Sequence, residues 1–305
     1  MFRVGFLGSV NSHADLFAAM FNGYDKSVQG EFDDIQAVAT YSTYPGVDEK
    51  LKEKYGVEFI AKSPEEMLDK IDAAIVTARD GRLHAQMARP FIEAGIPVFI
   101  DKPFTQDEDE AIELARLARD KGVPLMGGSC LKLCPETKAA IRFVEELRKK
   151  EIPIVGGTVM APVNLENEWG GFFFYAGHLA EICLPVFGYY PQWVSASETK
   201  NGVALIIHYD DFDVTGLYTA GRWDYEVEIY TPQQLDATKP DNKDLTQPIT
   251  LDMAFVEEAR NIARTLRTGR MEHTYEELIQ PVMFLNAVYR AMKSGKREAI
   301  RVAEL

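Results

Sequence analysis

Lys102 lies in the segment FIDKPFT, residues 99–105, where an apolar run ends just ahead of a helix start. A lysine at the carboxyl end of a buried strand faces the ligand crevice, where desolvation and nearby charge tune it for proton transfer. The plainer alternative is a loop lysine paired with Asp101. A second group sits in WGGFFFYAGHLAEICLPVFG, residues 169–188. Tyr175, His178 and Glu181 stand at i, i+3 and i+6, successive neighbours on one slowly drifting helical face. Histidine exchanges protons near neutral pH, and an adjacent carboxylate orients it and raises its pKa. Here too a plain alternative competes: a packed helix in which Phe172, Phe173 and Phe174 enclose a hydrogen-bonded core histidine. A lone titratable residue is weak evidence of function.

A third stretch, FRVGFLGSVNSHADLF, residues 2–17, runs from an apolar strand through a glycine and a short polar turn into a helix. That is the outline of a dinucleotide-binding βα turn. In G-x-G-x-x-G the second glycine lets the backbone approach a pyrophosphate, and the third packs helix against strand. Here the three positions are Gly8, Val10 and His13. Val10 is expected to crowd a phosphate and His13 to push the helix away, unless the turn is rerouted.

The elements that must position these groups follow a regular order. Through the first ~125 residues, short apolar runs alternate with helical patterns, as in a parallel sheet with crossover helices. The runs are FRVGFLG, IQAVAT, VEFIA, DAAIVTA, IPVFID and VPLMGG. Ser63-Pro64-Glu65-Glu66 and Thr105-Gln106-Asp107-Glu108 read as capping boxes, the second opening a helix that ends near Gly122. Such a doubly wound fold binds ligand beyond the carboxyl ends of its strands. After Gly128 the rhythm changes. A helix, PETKAAIRFVEELRKK, leads to a long strand near PIVGGTVMAPV and then to a helix expected over about residues 175–187. Four extended segments follow, WVSASET, VALIIHYD, FDVTGLYTA and YEVEIYTP, whose alternation predicts an antiparallel sheet with one covered face. Thr274-Tyr275-Glu276-Glu277 is a further capping box, EAIRV a short last strand, and residues 236–248 the expected long exposed loop. The prediction is an α/β chain: a doubly wound parallel-sheet domain over 1–127, then an α+β domain over 128–305.

Composition narrows the function classes. The 305 residues suit two domains of ~150 each. A formal net charge of -14 argues against nucleic acid and anionic membranes, though not against an anionic small molecule in a locally positive pocket. No apolar run reaches the ~18 residues needed to span a bilayer, and no secretory signal pattern opens the chain. Cys130, Cys134 and Cys183 cannot all pair, and C-x-x-x-C without a second cluster makes no zinc site. They read as buried thiols of a cytoplasmic protein.

Taken together, the βα domain, the strand-end D-K-P and the G-x-H helix resemble the glucose–fructose oxidoreductase and inositol dehydrogenase (Gfo/Idh/MocA) family over nearly the whole chain. Residues 56–104, GVEFIAKSPEEMLDKIDAAIVTARDGRLHAQMARPFIEAGIPVFIDKPF, read like that family's stretch from its third strand to its E-K-P motif. Lys102 matches the family lysine, with Asp101 in place of the commoner glutamate. His178 matches the histidine of D-x-G-x-H-x-x-D, with Phe174, Ala176 and Glu181 at the other three positions. The resemblance implies a Rossmann domain followed by a large, mainly antiparallel open sheet. It also implies hydride transfer between NAD or NADP and the carbinol carbon of a sugar, cyclitol or related polyol. Lys102 and His178 would then handle the proton, supported by Tyr175 and Glu181.

The same resemblance implies cofactor contacts from Gly8, Ser9, Val10, Asn11, Ser12, Thr40, Ser42, Thr77, Arg79, His84, Asp101 and Lys102. Asn11 and Ser12 would donate to phosphate, Thr40 and Ser42 would accommodate a ribose 2′-phosphate although no arginine follows to clamp it, and Arg79 or Arg82 would supply positive charge. Second-strand residues AVATYSTY offer no acid for a ribose 2′-hydroxyl. Ser129, Lys132, Asn164, Asn167 and Trp169 flank the loops that would meet a polyol, together with Tyr175 and His178. Two other readings stay open. One is a non-redox ligand-binding or regulatory descendant, favoured by Phe174 and the altered glycine turn. The other is a divalent metal on His178 and Glu181, for which two ligands are too few, so no metal is expected. Trp193, Leu205, Ile207, Leu217, Tyr218 and Tyr230 are candidates for an oligomer interface on the second sheet, which the family commonly uses for dimers and tetramers.

Overall fold

In the computed structural model, which describes residues 1–233 and 242–305, the strand and helix signals above become the following elements in chain order. They are β1 Phe2–Leu7, α1 Ser12–Phe21, β2 Ile35–Tyr41, α2 Val47–Tyr55, β3 Phe59–Ile60, β4 Ala73–Val76, α3 His84–Glu93, β5 Val98–Asp101, α4 Glu108–Lys121 and β6 Leu125–Gly128. Then come α5 Pro135–Lys149, β7 Gly156–Pro162, α6 Phe172–Phe187, β8 Trp193–Thr199, β9 Gly202–His208, β10 Asp213–Thr219 and β11 Tyr225–Tyr230. The chain closes with β12 Leu245–Ile249, α7 Ala254–Thr268, α8 Tyr275–Ser294 and β13 Glu298–Ala299. Two compact units result. One comprises Met1–Gly128, Phe255–Ile279 and Glu304–Leu305; the other comprises Ser129–Ala254 and Gln280–Ala303. Residues 255–279, which lie in the 128–305 domain on the sequence reading, thus group with the N-terminal unit.

The first unit is a six-stranded parallel sheet in the order β3-β2-β1-β4-β5-β6. All six apolar runs became strands; β4, β5 and β6 are buried throughout, as both-faced burial in a parallel sheet demands, while Phe59 and Ile60 of the edge strand β3 are half-buried. The order reverses between β1 and β4, so the turns after β1, β2, β4 and β5 share the carboxyl edge. Phe6, Phe17, Ile75 and Phe99 fill the core, joined by Ala259, Ile262 and Ala263 of α7. Arg260 holds Glu31 at 2.7 Å, and Arg267 pairs with Asp34, fixing α7 against the β2 entry.

Local signals were mostly placed well but not always on the right residue. The α4 cap is Asp107, whose carboxylate accepts the N–H groups of Asp109 and Glu110, not Thr105, which donates to the Asp107 carbonyl. An acid two residues closer to the helix outcompetes a threonine for the orphan donors. Ser63 makes no side-chain cap, and Pro64–Met67 is a single 3-10 turn. The Thr274–Glu277 box is real: the Thr274 N–H donates to Glu277 at 3.0 Å and the Glu277 N–H donates to Thr274 at 3.1 Å.

The second unit carries a seven-stranded sheet in the order β12-β11-β7-β10-β9-β8-β13. It is mainly antiparallel, with β7 and β10 parallel. Part of the expected exposed loop, residues 245–248, is instead strand β12 paired with β11; residues 236–241 lie outside the described residues. Helix α6 begins at Phe172, three residues ahead of expectation, because Phe172 and Phe174 extend its buried surface. It is apolar nearly all round and packs on β7. Alternation puts Leu205, Ile207 and Tyr218 on the covered face, at 1%, 0% and 0% exposure. These three are therefore core residues and not interface candidates. Trp193, Ile206, Leu217 and Tyr230 lie on the opposite, open face.

Candidate active site

In the first unit the β1–α1 turn is built around Gly8. Its φ is +79°, and an added Cβ would come within 2.5 Å of Ala78 Cα, so the turn tolerates no side chain there. Asn11 caps α1: its Oδ1 accepts the His13 N–H, and its Nδ2 donates to Asp101 Oδ2 at 2.9 Å. His13 does not push the helix off the sheet. Its ring turns towards β5, where Nδ1 lies 2.6 Å from Asp101 Oδ2, and packs on Phe255 with ring centroids 4.7 Å apart. Asp101 Oδ1 accepts the Lys102 backbone N–H at 2.7 Å, so one buried carboxylate ties the β1–α1 turn to the D-K-P turn. Burial pushes the Asp101 carboxyl up, but the His13 charge, its hydrogen bond and Lys102 outweigh that and hold it below the usual range. Lys102 itself is largely buried.

The hydroxyls expected at the cofactor face inward. Ser9 Oγ lies 2.6 Å from Thr40 Oγ1, which donates to Asp48 Oδ1 at 2.6 Å. Asp48, on α2 eight residues beyond Thr40, is an acid at the carboxyl edge of β2 that inspection of the strand alone missed. A carboxylate in the first turn of a helix that packs on the strand is the signal that finds it. Burial raises its pKa against hydrogen bonds from Thr40 and the Ser42 backbone. Ser42 is half-buried and its Oγ accepts the Tyr44 N–H. Thr77 is buried, with its N–H on the Leu7 carbonyl. His84 is wholly buried, its Nδ1 2.8 Å from the Pro103 carbonyl and its Nε2 2.7 Å from the Ala78 carbonyl. It braces the D-K-P turn against the β4 exit. Arg82 is held by Asp80 through its Nε and Nη2, and Arg79 is exposed. Val10 is half-buried with its N–H on the Gly8 carbonyl, and Ser12 is exposed at the first position of α1. The glycine cradle and a capped helix start, whose other first-turn N–H groups lack intrahelical partners, fit the pyrophosphate of a dinucleotide.

In the second unit the histidine helix and the 3-10 turn Cys130–Leu133 face one another. Ser129 Oγ lies 2.7 Å from His178 Nδ1 and accepts the Leu131 N–H at 3.2 Å. Lys132 Nζ lies 3.0 Å from Glu181 Oε2, and both side chains are buried. Burial pushes the Glu181 carboxyl up, opposed by Lys132 and by a hydrogen bond from the Ser129 backbone. Ser129 and Lys132, expected at a polyol, are thus buried partners of the helix residues. Glu181, expected to orient His178, is held by Lys132 while Ser129 takes Nδ1. The ring of Tyr175 lies 6.1 Å from that of His178 and packs edge-on to Trp223 at 5.1 Å; Tyr225 packs edge-on to His178 at 5.6 Å. Phe174 occupies the position of the missing aspartate, buried and edge-on to Tyr175. Asn164 and Asn167 accept the N–H groups of Glu166 and Trp169, shaping the loop that follows β7. A groove of about 590 Å³ lies beside it, lined by Asn164, Glu166, Lys200 and Trp223 among others. Among the described residues no group of three or more His, Cys, Asp or Glu side chains forms a metal site. No helix among them is long and apolar enough to cross a membrane.

Residues 2–129 match the family model described as an oxidoreductase family with an NAD-binding Rossmann fold. The fold is similar to that of scyllo-inositol dehydrogenase from Lactobacillus casei with bound NAD(H) and scyllo-inositol, at 14% identity and a TM-score of 0.78, covering 98% of this chain and 99% of that one. It is also similar to myo-inositol 2-dehydrogenase from Lactobacillus plantarum, at 17% identity and a TM-score of 0.79, with 98% and 99% covered. A putative myo-inositol dehydrogenase from Sinorhizobium meliloti gives 16% identity and a TM-score of 0.77, with 99% and 100% covered. No curated protein matches the chain by sequence.

Proposed function

Since the chain belongs, through residues 2–129, to the Gfo/Idh/MocA oxidoreductase family, we propose that it is an NAD-dependent dehydrogenase of a cyclitol or sugar-like polyol. The observation that carries this reading is the turn at Gly8, which keeps the tight, side-chain-free β1–α1 turn of a dinucleotide site although Val10 and His13 replace the other two glycines. NAD, when bound, supplies the hydride acceptor. Ser12 would hold its pyrophosphate at the α1 terminus, with Gly8 and Val10 shaping the turn beside it. Asp48 at the β2 edge would favour the unphosphorylated ribose of NAD over a 2′-phosphate.

As the carbinol C–H gives up hydride, its O–H proton must leave for the carbonyl to form. We assign acceptance of that proton to Lys102, and to His178 a hydrogen bond to the substrate. In the reverse direction the Lys102 ammonium returns the proton. Tyr175 and Trp223 offer aromatic faces, and Asn164 and Asn167 shape the neighbouring loop for a polyhydroxylated ring. The open face bearing Trp193, Ile206, Leu217 and Tyr230 suits a homo-oligomer contact, checked by light scattering, with a dilute monomer as the contrary result. Three buried cysteines, none in a disulfide, accord with a reducing compartment.

The test is nicotinamide fluorescence on titration with NADH and NADPH, followed by turnover with cyclitols and aldoses. Tighter NADH binding is expected. Lys102→Ala and His178→Ala should each lower turnover by about 10²–10⁴-fold while the protein stays folded. Near-normal turnover in both variants removes the assignment. Phe174 at the aspartate position favours a second reading, a ligand-binding protein without hydride chemistry, and absence of NADH and NADPH binding at millimolar levels selects it.

A further inference from the structure

We propose that the groove beside the exit of β7 binds an uncharged sugar ring, so that the preferred substrate is a glycoside and not a free polyol. That substrate class rests on the dehydrogenase reading; the groove itself does not. Three turns at one end of the second sheet build it. The Val163 N–H donates to the Thr219 carbonyl at 3.1 Å, joining the β7 exit to the β10 exit. The Ala220 N–H donates to the Asn201 carbonyl at 2.9 Å, joining the β10 exit to the β8–β9 turn. Thr199 uses its hydroxyl inside that turn, donating to the Gly202 carbonyl and accepting the Asn201 N–H, both at 3.3 Å. Lys200 therefore stands on a braced turn. The space of about 590 Å³ falls within the ~300–1,000 Å³ usual for small-molecule sites.

The lining chemistry selects the occupant. Trp223 is 60% exposed, yet its ring is held edge-on to Tyr175 at 5.1 Å. Exposed aromatics scattered singly over a surface are ordinary. This one forms a wall of a concave groove among hydrogen-bonding groups, the combination that covers the C–H face of a pyranose while its hydroxyls are bound. Asn164 Oδ1 accepts the Glu166 N–H at 3.1 Å, which leaves the Nδ2 donors for a hydroxyl. The Glu166 and Glu198 carboxylates accept, and the Lys200 ammonium donates. Charge disfavours an anion. Two carboxylates and one ammonium line the groove, and Lys293, 3.6 Å from Glu198, offsets the excess. A phosphate or uronate would meet both acids, with no arginine among the described lining residues to clamp it. The groove also adjoins the candidate histidine, since Tyr175, which holds Trp223, lies 6.1 Å from the His178 ring. A substituent on a ring held beside His178 reaches the groove past Tyr175.

The experiment is titration calorimetry on the full chain with NADH present, comparing myo-inositol with its galactoside galactinol, and glucose with cellobiose. At least one glycoside should bind about tenfold more tightly than its parent ring. Trp223→Ala should abolish that gain. Glu166→Ala and Lys200→Ala should each cut it about threefold and leave affinity for the parent ring unchanged. All three side chains are exposed, so the variants keep the fold. No gain for either glycoside, or a gain that survives Trp223→Ala, overturns the inference. So does tighter binding of myo-inositol 1-phosphate than of galactinol, which would make the groove an anion site. The two readings fail separately. A gain without NADH formation from NAD and any of these compounds removes only the dehydrogenase, and turnover of myo-inositol or glucose without a gain removes only the groove.

Discussion

His13 Nδ1 lies 2.6 Å from Asp101 Oδ2, joining the start of α1 to the end of β5 at the position where a dinucleotide turn ordinarily has its third glycine. Glycine there permits close helix–strand packing by absence of a side chain. Here a side chain is accommodated by giving it a buried partner, with Asn11 completing the carboxylate's hydrogen bonds. Asp101, one methylene shorter than glutamate, leaves space for the imidazole.

Restoring the family's glycine should therefore harm the protein. His13→Gly strips a buried carboxylate of its ion-pair partner and adds a helix-propensity cost, for a loss of about 3 kcal/mol. Urea denaturation checks it, and a variant as stable as wild type would show that the pair contributes nothing.

The same pair predicts a pH dependence of known sign. Asp101 has a folded pKa below its unfolded value, so its ionised form contributes stability fully present above about pH 3.9 and lost as pH falls towards the folded value. The stability gap between wild type and Asp101→Asn should shrink from about pH 6 to about pH 3. A constant gap in thermal melts contradicts this.

Asp48 has the opposite sign. Its folded pKa is raised, mainly by burial, so stability is greatest below the unfolded value and declines as pH rises through the folded one. Asp48→Asn should therefore gain on wild type as pH increases from about 4 to about 7. The same variant should narrow the preference for NADH over NADPH in fluorescence titrations.

Gly8→Ala meets two obstacles, a φ of +79° and a 2.5 Å approach to Ala78 Cα. The left-handed conformation alone costs about 1–2 kcal/mol, and the clash must displace the β4 exit. NADH affinity should fall at least about tenfold, read by fluorescence, with a lowered melting temperature.

Lys132→Met should cost about 3–5 kcal/mol by leaving Glu181 buried and unpaired. Adding Glu181→Gln removes the stranded charge while keeping an acceptor for the Ser129 N–H, so the double variant should be the more stable of the two. A double-mutant cycle in urea measures the coupling, and simple additivity would deny it.

How much of this was legible can be judged residue by residue. The six parallel strands, α4 with its Gly122 terminus and the Thr274–Glu277 box all follow from periodicity and short-range chemistry, and the structure has them. The two candidate groups around Lys102 and His178 also follow from residue type and position. The partners do not. Glu181 lies three residues from His178 and looked like its orienting acid, yet Ser129, 49 residues away, holds the ring. His13 looked like an intrusion and is a bound side chain, and Thr40 looked like a ribose contact and is the donor to Asp48.

What the amino-acid order alone determined is the alternation of strands and helices, the loops at strand ends and the residue types that could move a proton, because each depends on spacings of a few residues. What only the tertiary structure decided is which buried polar atom satisfies which other. That choice falls between segments such as Asn11 and Asp101, 90 residues apart, brought together when β1, β4 and β5 pair. A buried hydrogen-bonding group takes whichever partner the packed strands bring within about 3 Å, and sequence proximity has no vote in it.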